Sequence, residues 1–231
     1  MVLSFKFLFM LFIFYAFIGW LLEVIESFIM HKRFINRGFF IGPICPIYGV
    51  GFVLLYILLR KELAEPIGLF LKIMVICAVL EYFTSLIMEK VFKARWWDYS
   101  RFRFNINGRV CLETMVPFAL FGMLVLYFVN PFIIRLVDRI NPIILNIGFI
   151  FLLISFILDM VVTFKLFYNV KNITKTVAKD GSEEISKKVR EELMKKSILY
   201  RRIVSAFPKA KAMIKEINER IKEEIRLRNE D

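Results

Sequence analysis

The sequence predicts an all-α polytopic membrane protein with about five transmembrane helices, a parallel internal repeat and a cytoplasmic helical tail. Three observations carry this. First, the 231 residues are 58% hydrophobic and 16% aromatic, with 26 Phe, and their mean hydropathy is +0.63. That is more apolar surface than a soluble domain of this size carries. Second, the apolar residues gather into five segments, roughly Leu3–Met30, Gly38–Leu59, Pro66–Met88, Cys111–Ile134 and Pro142–Phe164. Third, the loops between them alternate between basic and nearly neutral. A transmembrane domain is therefore expected over 1–165 and a charged helical tail over 166–231.

The first segment has no small-residue cleavage site after its opening apolar run, so Met1 to Leu22 reads as a retained span. The second is unusual, and the stretch His31–Gly51 around its start organises the chain. Pro46 to Leu59 is only 14 residues, too few for a helix crossing that needs about 20. Counting from Gly38 gives 22. Gly38 to Cys45, cut by Gly42 and Pro43, is thus expected to enter the membrane as broken backbone. Such backbone survives there only where protein or a wet cavity satisfies its N–H and C=O groups.

The third segment repeats the end of the first. Leu22-Glu23-Val24-Ile25-Glu26-Ser27-Phe28-Ile29-Met30 aligns with Leu80-Glu81-Tyr82-Phe83-Thr84-Ser85-Leu86-Ile87-Met88. Each copy is followed by a basic aromatic loop, with Ile35-Asn36-Arg37-Gly38 in one and Ile106-Asn107-Gly108-Arg109 in the other. Two segments per repeat keep the copies in one orientation, related by an axis along the membrane normal. Chance similarity between Leu- and Phe-rich stretches is the competing explanation. The fifth segment follows Asn141-Pro142 and holds Asp159 near its cytoplasmic end. In the tail, Ser182 with Glu183 and Glu184 predicts a helix start, Phe207-Pro208 a break, and Ile214, Ile217, Ile221 and Ile225 a second amphipathic helix.

Loop charge predicts the orientation. Lys32, Arg33 and Arg37 follow the first segment; Lys90, Lys93, Arg95, Arg101, Arg103 and Arg109 follow the third. The other two connections hold Arg60, Lys61 and Arg135, Arg139, each beside acids. The positive-inside rule then puts the N-terminus outside and the tail in the cytoplasm of a multi-pass cell-membrane protein. The net charge of +12 suits anionic lipid better than nucleic acid, for which no phosphate-cradling or base-stacking motif is present. Cys45, Cys77 and Cys111 lack paired spacing and His31 is the only histidine, so neither a disulfide framework nor a metal site nor another cofactor is expected.

Glu23 and Glu81 are the sharpest candidates for chemistry. Each precedes the end of its segment by seven residues, about 10 Å of helix. An ionisable group at that depth usually faces a partner or a cavity. Arg37 and Arg109, reached through the loops holding Asn36 and Asn107, are the expected partners. One reading makes these structural ion pairs; the other makes them a substrate or proton site. Glu26 and Glu89 lie nearer the boundary, where interface solvation explains them, and Glu113 is intermediate. Trp96-Trp97-Asp98-Tyr99 reads either as an interfacial aromatic belt or as a gate whose neighbouring arginines meet phosphate. An Asp98–Arg pair would order that loop.

Gly19-Trp20-Leu21-Leu22-Glu23, Asn36-Arg37-Gly38-Phe39, Cys45-Pro46-Ile47-Tyr48-Gly49 and Arg95-Trp96-Trp97-Asp98-Tyr99-Ser100 together resemble the CmpB-like ABC-transporter type IV membrane family. The resemblance covers about 5–165 and implies a bacterial permease-like membrane protein. No GxxxxGK[ST] loop occurs, so the chain is not expected to hydrolyse ATP in the P-loop manner. An ATPase would be a separate subunit, with the lipid bilayer, another cytoplasmic protein or a second copy as further partners. Two functions follow: a non-catalytic permease-like subunit for a small-molecule or lipid-like substrate, or a metal-independent intramembrane enzyme acting on a lipid. In the second, Glu23 or Glu81 is the general base and Arg37 and Arg109 hold a headgroup. A regulatory membrane protein without cargo is a third.

Overall fold

The computed structural model describes residues 4–32, 34, 36, 38, 40–92 and 97–180, with side chains to 165 other than those of residues 31 and 92. Helix α1 spans Phe5–His31. Ser4 caps it by accepting from the Phe7 N–H, and Lys32 ends it in the left-handed conformation while donating its N–H to Phe28. Helix α2, Pro46–Leu59, opens on a proline at N1, where the missing N–H has no intrahelical partner to lose. Helix α3 spans Pro66–Phe92. A hairpin follows, β1 at Asn105–Ile106 and β2 at Val110–Cys111. Its turn holds Asn107 at φ 54° and Gly108 at φ 67°, with the Arg109 N–H donating to Ile106 O. Two consecutive left-handed residues are what a type I′ turn requires.

Helix α4, Leu112–Leu124, runs through a π-helical turn at Val125–Val129 into α5, Asn130–Val137. Helix α6, Pro142–Asp180, continues without a break past residue 165. The expected tail helices from Ser182 onward lie outside the described residues, as do Arg37 and Trp96.

Four helical stretches among the described residues are long and apolar enough to cross a membrane: Phe5–Met30, Pro66–Val91, Leu112–Val137 and Pro142–Lys165. The second apolar segment accounts for the difference from the expected five. Its helical part is 14 residues, about 21 Å against a hydrocarbon core of about 30 Å. Residues 40–45 before it are not helical.

Side-chain contacts fix the direction of each helix. Phe7 meets Tyr56 and Tyr15 meets Phe52, so α2 runs antiparallel to α1. Tyr48 meets Phe118 and Phe52 meets Phe121, so α4 runs parallel to α2. Ile73 packs at Gly122 and Leu80 at Gly51, which makes α3 antiparallel to both. Phe5 meets Phe149 and Phe12 meets Phe156, so α6 runs parallel to α1. Residues 32, 34, 36 and 38, the 97–111 hairpin region and the C-terminal part of α6 therefore share one end, called here the hairpin end. Ser4, the 60–65 loop and the 138–141 turn share the other.

The core between α1, α2, α3 and α4 centres on Tyr15, Leu55, Leu69, Ile73 and Val125, all nearly inaccessible. Small residues bring the axes close. A Cβ at Gly49 would lie 2.6 Å from the Phe12 backbone oxygen, and one at Gly19 would lie 2.2 Å from the Tyr48 ring. This is the close helix approach that small residues allow in bilayers. Outside, α3 exposes Val75, Val79, Phe83 and Ile87, and α6 exposes Ile147, Phe151, Ile154 and Leu158. Rows of exposed apolar side chains of this length suit contact with lipid.

Candidate functional site

The broken segment before α2 is held by a side chain from the far end of the sequence. Asp159 on α6 accepts the Ile41 N–H at Oδ1 (3.0 Å) and the Gly42 N–H at Oδ2 (2.9 Å). Thr163, one turn on and buried, donates to Asp159 Oδ1 at 3.0 Å and accepts from the Ile41 N–H at 3.3 Å. Cys45 N–H then donates to the Ala16 carbonyl of α1 at 2.9 Å. A carboxylate and a helix carbonyl thus take over the work that an i−4 ladder would do. Gly42 lets the carboxylate come this close: a Cβ there would stand 2.7 Å from Asp159 Oδ2, and the carboxylate would have to shift. Sequence reading noted Asp159 without giving it a role. The available signal was an acid inside the fifth segment together with unsatisfied backbone in the second.

Further toward the hairpin end, Asn36 takes the Trp20 indole N–H (2.8 Å) and the Gly38 N–H (3.1 Å) on its Oδ1, fixing the loop against α1. Glu23 is half-buried and accepts from the Tyr48 hydroxyl at 2.9 Å. Glu81 is buried, at 7% exposure, and the Tyr99 hydroxyl lies within hydrogen-bonding reach of it. Its Oε2 has no partner among the described residues. Burial pushes the Tyr99 phenol well above its ordinary value, and the Glu81 carboxylate adds to the shift. Glu23 contributes in the same direction from further away. Tyr99 is therefore a fixed donor at neutral pH.

Arg109 was expected to meet Glu81 or Glu23. It is buried, and its Nη2 pairs with Glu89 Oε2 at 2.6 Å, while Nη1 donates to Ser85 Oγ at 3.2 Å. The guanidinium also lies 5.8 Å from the centre of the Tyr82 ring. Helical spacing explains the choice. Tyr82, Ser85 and Glu89 stand three and four residues apart on one face of α3, and the hairpin turn sets Arg109 against that face. Glu89, assigned by sequence to interface solvation, is the residue that neutralises it. The hairpin is tied down around this pair: Asn107 Nδ2 donates to the Tyr82 hydroxyl (3.0 Å) and Trp97 Nε1 to the Arg109 carbonyl (3.0 Å). Asp98 accepts from Ser100 N–H and hydroxyl, closing a local turn. Glu113 is exposed in the first turn of α4, where a negative charge meets the positive helix end. The Asn107-Gly108 dipeptide was the legible hairpin signal, since that pair favours the turn observed.

The fold and this site define an α-helical integral membrane protein in which carboxylates serve broken backbone and interhelical donors. Its family is also defined: the chain belongs to the family described as "Putative ABC-transporter type IV", whose model matches residues 10–164. No curated protein and no solved structure matches it.

Proposed function

We propose that the chain is the permease-like subunit of a membrane transport system, handling a small-molecule or lipid-like substrate and driven by an ATPase on a separate polypeptide. The observation that carries this reading is the Asp159 clamp on Ile41 and Gly42. Discontinuous helices, with freed backbone served by side chains, are how transporters build sites at membrane depth. The sequence contains no P-loop, and the family supports a transport role. We place the hairpin end in the cytoplasm, where its basic residues satisfy the positive-inside rule. The ATPase would dock there, on the hairpin and the charged tail of 166–231. In this reading Glu23, Glu81, Asn36, Asn107, Arg109 and Glu113 would contribute the polar lining, and Trp97, Asp98 and Tyr99 the gate; Arg37 and Trp96, expected from sequence to join them, lie outside the described residues.

We also propose that the two halves are a parallel repeat. Three observations support it: α1 and α3 are both 27 residues long, Cys45 and Cys111 occupy the N-cap of the helix that follows in each half, and Glu23 and Glu81 each meet a tyrosine. One observation favours the second reading, an intramembrane lipid enzyme: the unpartnered Oε2 of buried Glu81 could act as a base. The engagement of Arg109 by Glu89 and Ser85 weighs against its holding a headgroup. Purification with native lipids, followed by mass spectrometry of everything bound, separates the two. A co-purifying nucleotide-binding protein supports the permease. A chemically altered lipid with no such protein replaces it by the enzyme.

A further inference from the structure

We propose that Glu81 is a proton-binding site, whose carboxyl carries a proton while the 97–111 hairpin region packs against α3 and releases it when that region moves away. Among the described residues Glu81 is the only buried acid, at 7% exposure. The Tyr99 hydroxyl lies within hydrogen-bonding reach of it. Its Oε2 has neither a partner among the described residues nor appreciable contact with solvent. No Lys or Arg among those residues pairs with it. Glu89, Glu23 and Asp159 are each answered, by Arg109, by Tyr48 and by two backbone N–H groups. An ionised carboxylate without a cation is costly in a dry, low-dielectric interior, and a group so placed takes up a proton instead. The proton leaves a neutral group with one hydrogen bond unmade, a far smaller cost than a bare charge.

The fold does bring a buried cation to α3 and engages it elsewhere. Arg109 donates to Ser85, one turn beyond Glu81, and pairs with Glu89, two turns beyond. The other titratable groups around Glu81 supply no positive charge. Cys77 stands one turn before it on α3. Tyr99 comes from the hairpin region, with Cys111 and, from further away, Glu23 of α1 in electrostatic reach of its phenol. On α2, Tyr48 is bonded to Glu23 with Cys45 in reach, and Glu113 of α4 is exposed. Tyr99 and Arg109 both belong to the hairpin region, which the Asn107–Tyr82 and Trp97–Arg109 hydrogen bonds tie down. Lifting that region admits water to Glu81. The carboxyl O–H bond then breaks, the proton passes to water, and the charge left behind is solvated; closing takes the proton back. One proton moves with each cycle, which ties the movement to pH at the hairpin end. This holds whichever cargo the chain handles. It also makes Glu81 an acid at rest, whereas the intramembrane-enzyme reading needs a proton-free base.

The test is infrared spectroscopy of the full chain in phosphatidylcholine vesicles at a series of pH values. The parent spectrum minus that of Glu81→Gln should show, at neutral pH, the C=O stretch of a protonated carboxyl that shifts in heavy water. That band should give way to a carboxylate band as pH rises. Glu81→Gln has the shape of the protonated acid and should fold as the parent does; should it not, Glu81→Asp makes the same assignment by moving the band. Tyr82→Phe with Trp97→Phe removes both ties of the hairpin region and keeps the rings. In this double variant the band should be lost at a pH lower by about one unit. If the pair cannot be purified, either single variant carries the same test. The proposal is overturned if no protonated-carboxyl band at neutral pH belongs to Glu81, or if the loosened variant loses the band at the same pH as the parent. Neither result depends on whether an ATPase co-purifies, so failure here is distinct from failure of the permease reading.

Discussion

Asp159 and Gly42, 117 positions apart, meet through a 2.9 Å hydrogen bond so close that a Cβ on the glycine would stand 2.7 Å from the carboxylate oxygen. The contact joins the last membrane helix to the irregular backbone before α2. Removing the carboxylate strands the Gly42 N–H and leaves the Ile41 N–H to Thr163. Hydrogen bonds to charged groups contribute about 1.5–3 kcal/mol each, so Asp159→Ala should cost roughly 3 kcal/mol or more, and Asp159→Asn, which keeps one acceptor, about half. Gly42→Ala should destabilise by pushing the carboxylate away. Unfolding in detergent should find Gly42→Ala and Asp159→Ala strongly non-additive. Additive losses would mean that the two residues act through different neighbours.

Arg109 and Glu89 provide a second cycle. Glu89→Gln leaves a buried guanidinium with only Ser85 and the Tyr82 ring. Breaking a fully buried pair costs roughly 3–5 kcal/mol, and the Glu89 side chain is 35% exposed, so a loss near the lower end is expected. Adding Arg109→Gln should recover part of it. The combination of Glu81→Gln with Arg109→Gln should show no such recovery. If it does, the guanidinium is shared with Glu81.

Tyr99 should give the fold an alkaline limit. Its folded pKa lies above the ordinary 10.0, and in the unfolded chain it ionises near that ordinary value. Its contribution is therefore fully present below pH 10 and is lost as pH rises toward the folded pKa. Melting temperatures measured between about pH 9 and 11 should fall more steeply for the parent than for Tyr99→Phe. Parallel slopes would remove Tyr99 from the buried cluster.

The proposed orientation is open to labelling. A cysteine at Glu62 should react with an impermeant reagent from outside the cell, and one at Asn105 only after the membrane is opened. The reverse pattern would turn the molecule over and move the proposed gate to the outer face.

Much of this was legible from residue order. Fourteen apolar residues between Pro46 and Leu59 cannot cross a bilayer as helix, whatever surrounds them, because helical rise is fixed. The Gly and Pro residues before them announced irregular backbone for equally local reasons. The all-α membrane class followed from composition together with the length and spacing of the apolar segments. Even the hairpin had its dipeptide signal at Asn107-Gly108.

Partner choice was different. From sequence, Arg37 and Arg109 were the natural partners of Glu23 and Glu81 because the loops holding Asn36 and Asn107 lead to them. The tertiary structure instead set Arg109 against the face of α3 that carries Tyr82, Ser85 and Glu89, and brought Glu81 to Tyr99. It also brought Asp159 across to Ile41 and Gly42, and Tyr15 to Asn130. Hydrophobic pattern and helix length are properties of neighbouring residues, so the sequence by itself determined the segments and the break before α2. Which acid serves which donor depends on helix rotation and close approach, set by glycines such as Gly19 and Gly49 and by a single π turn. These are properties of the packed bundle, and only the tertiary structure decided them.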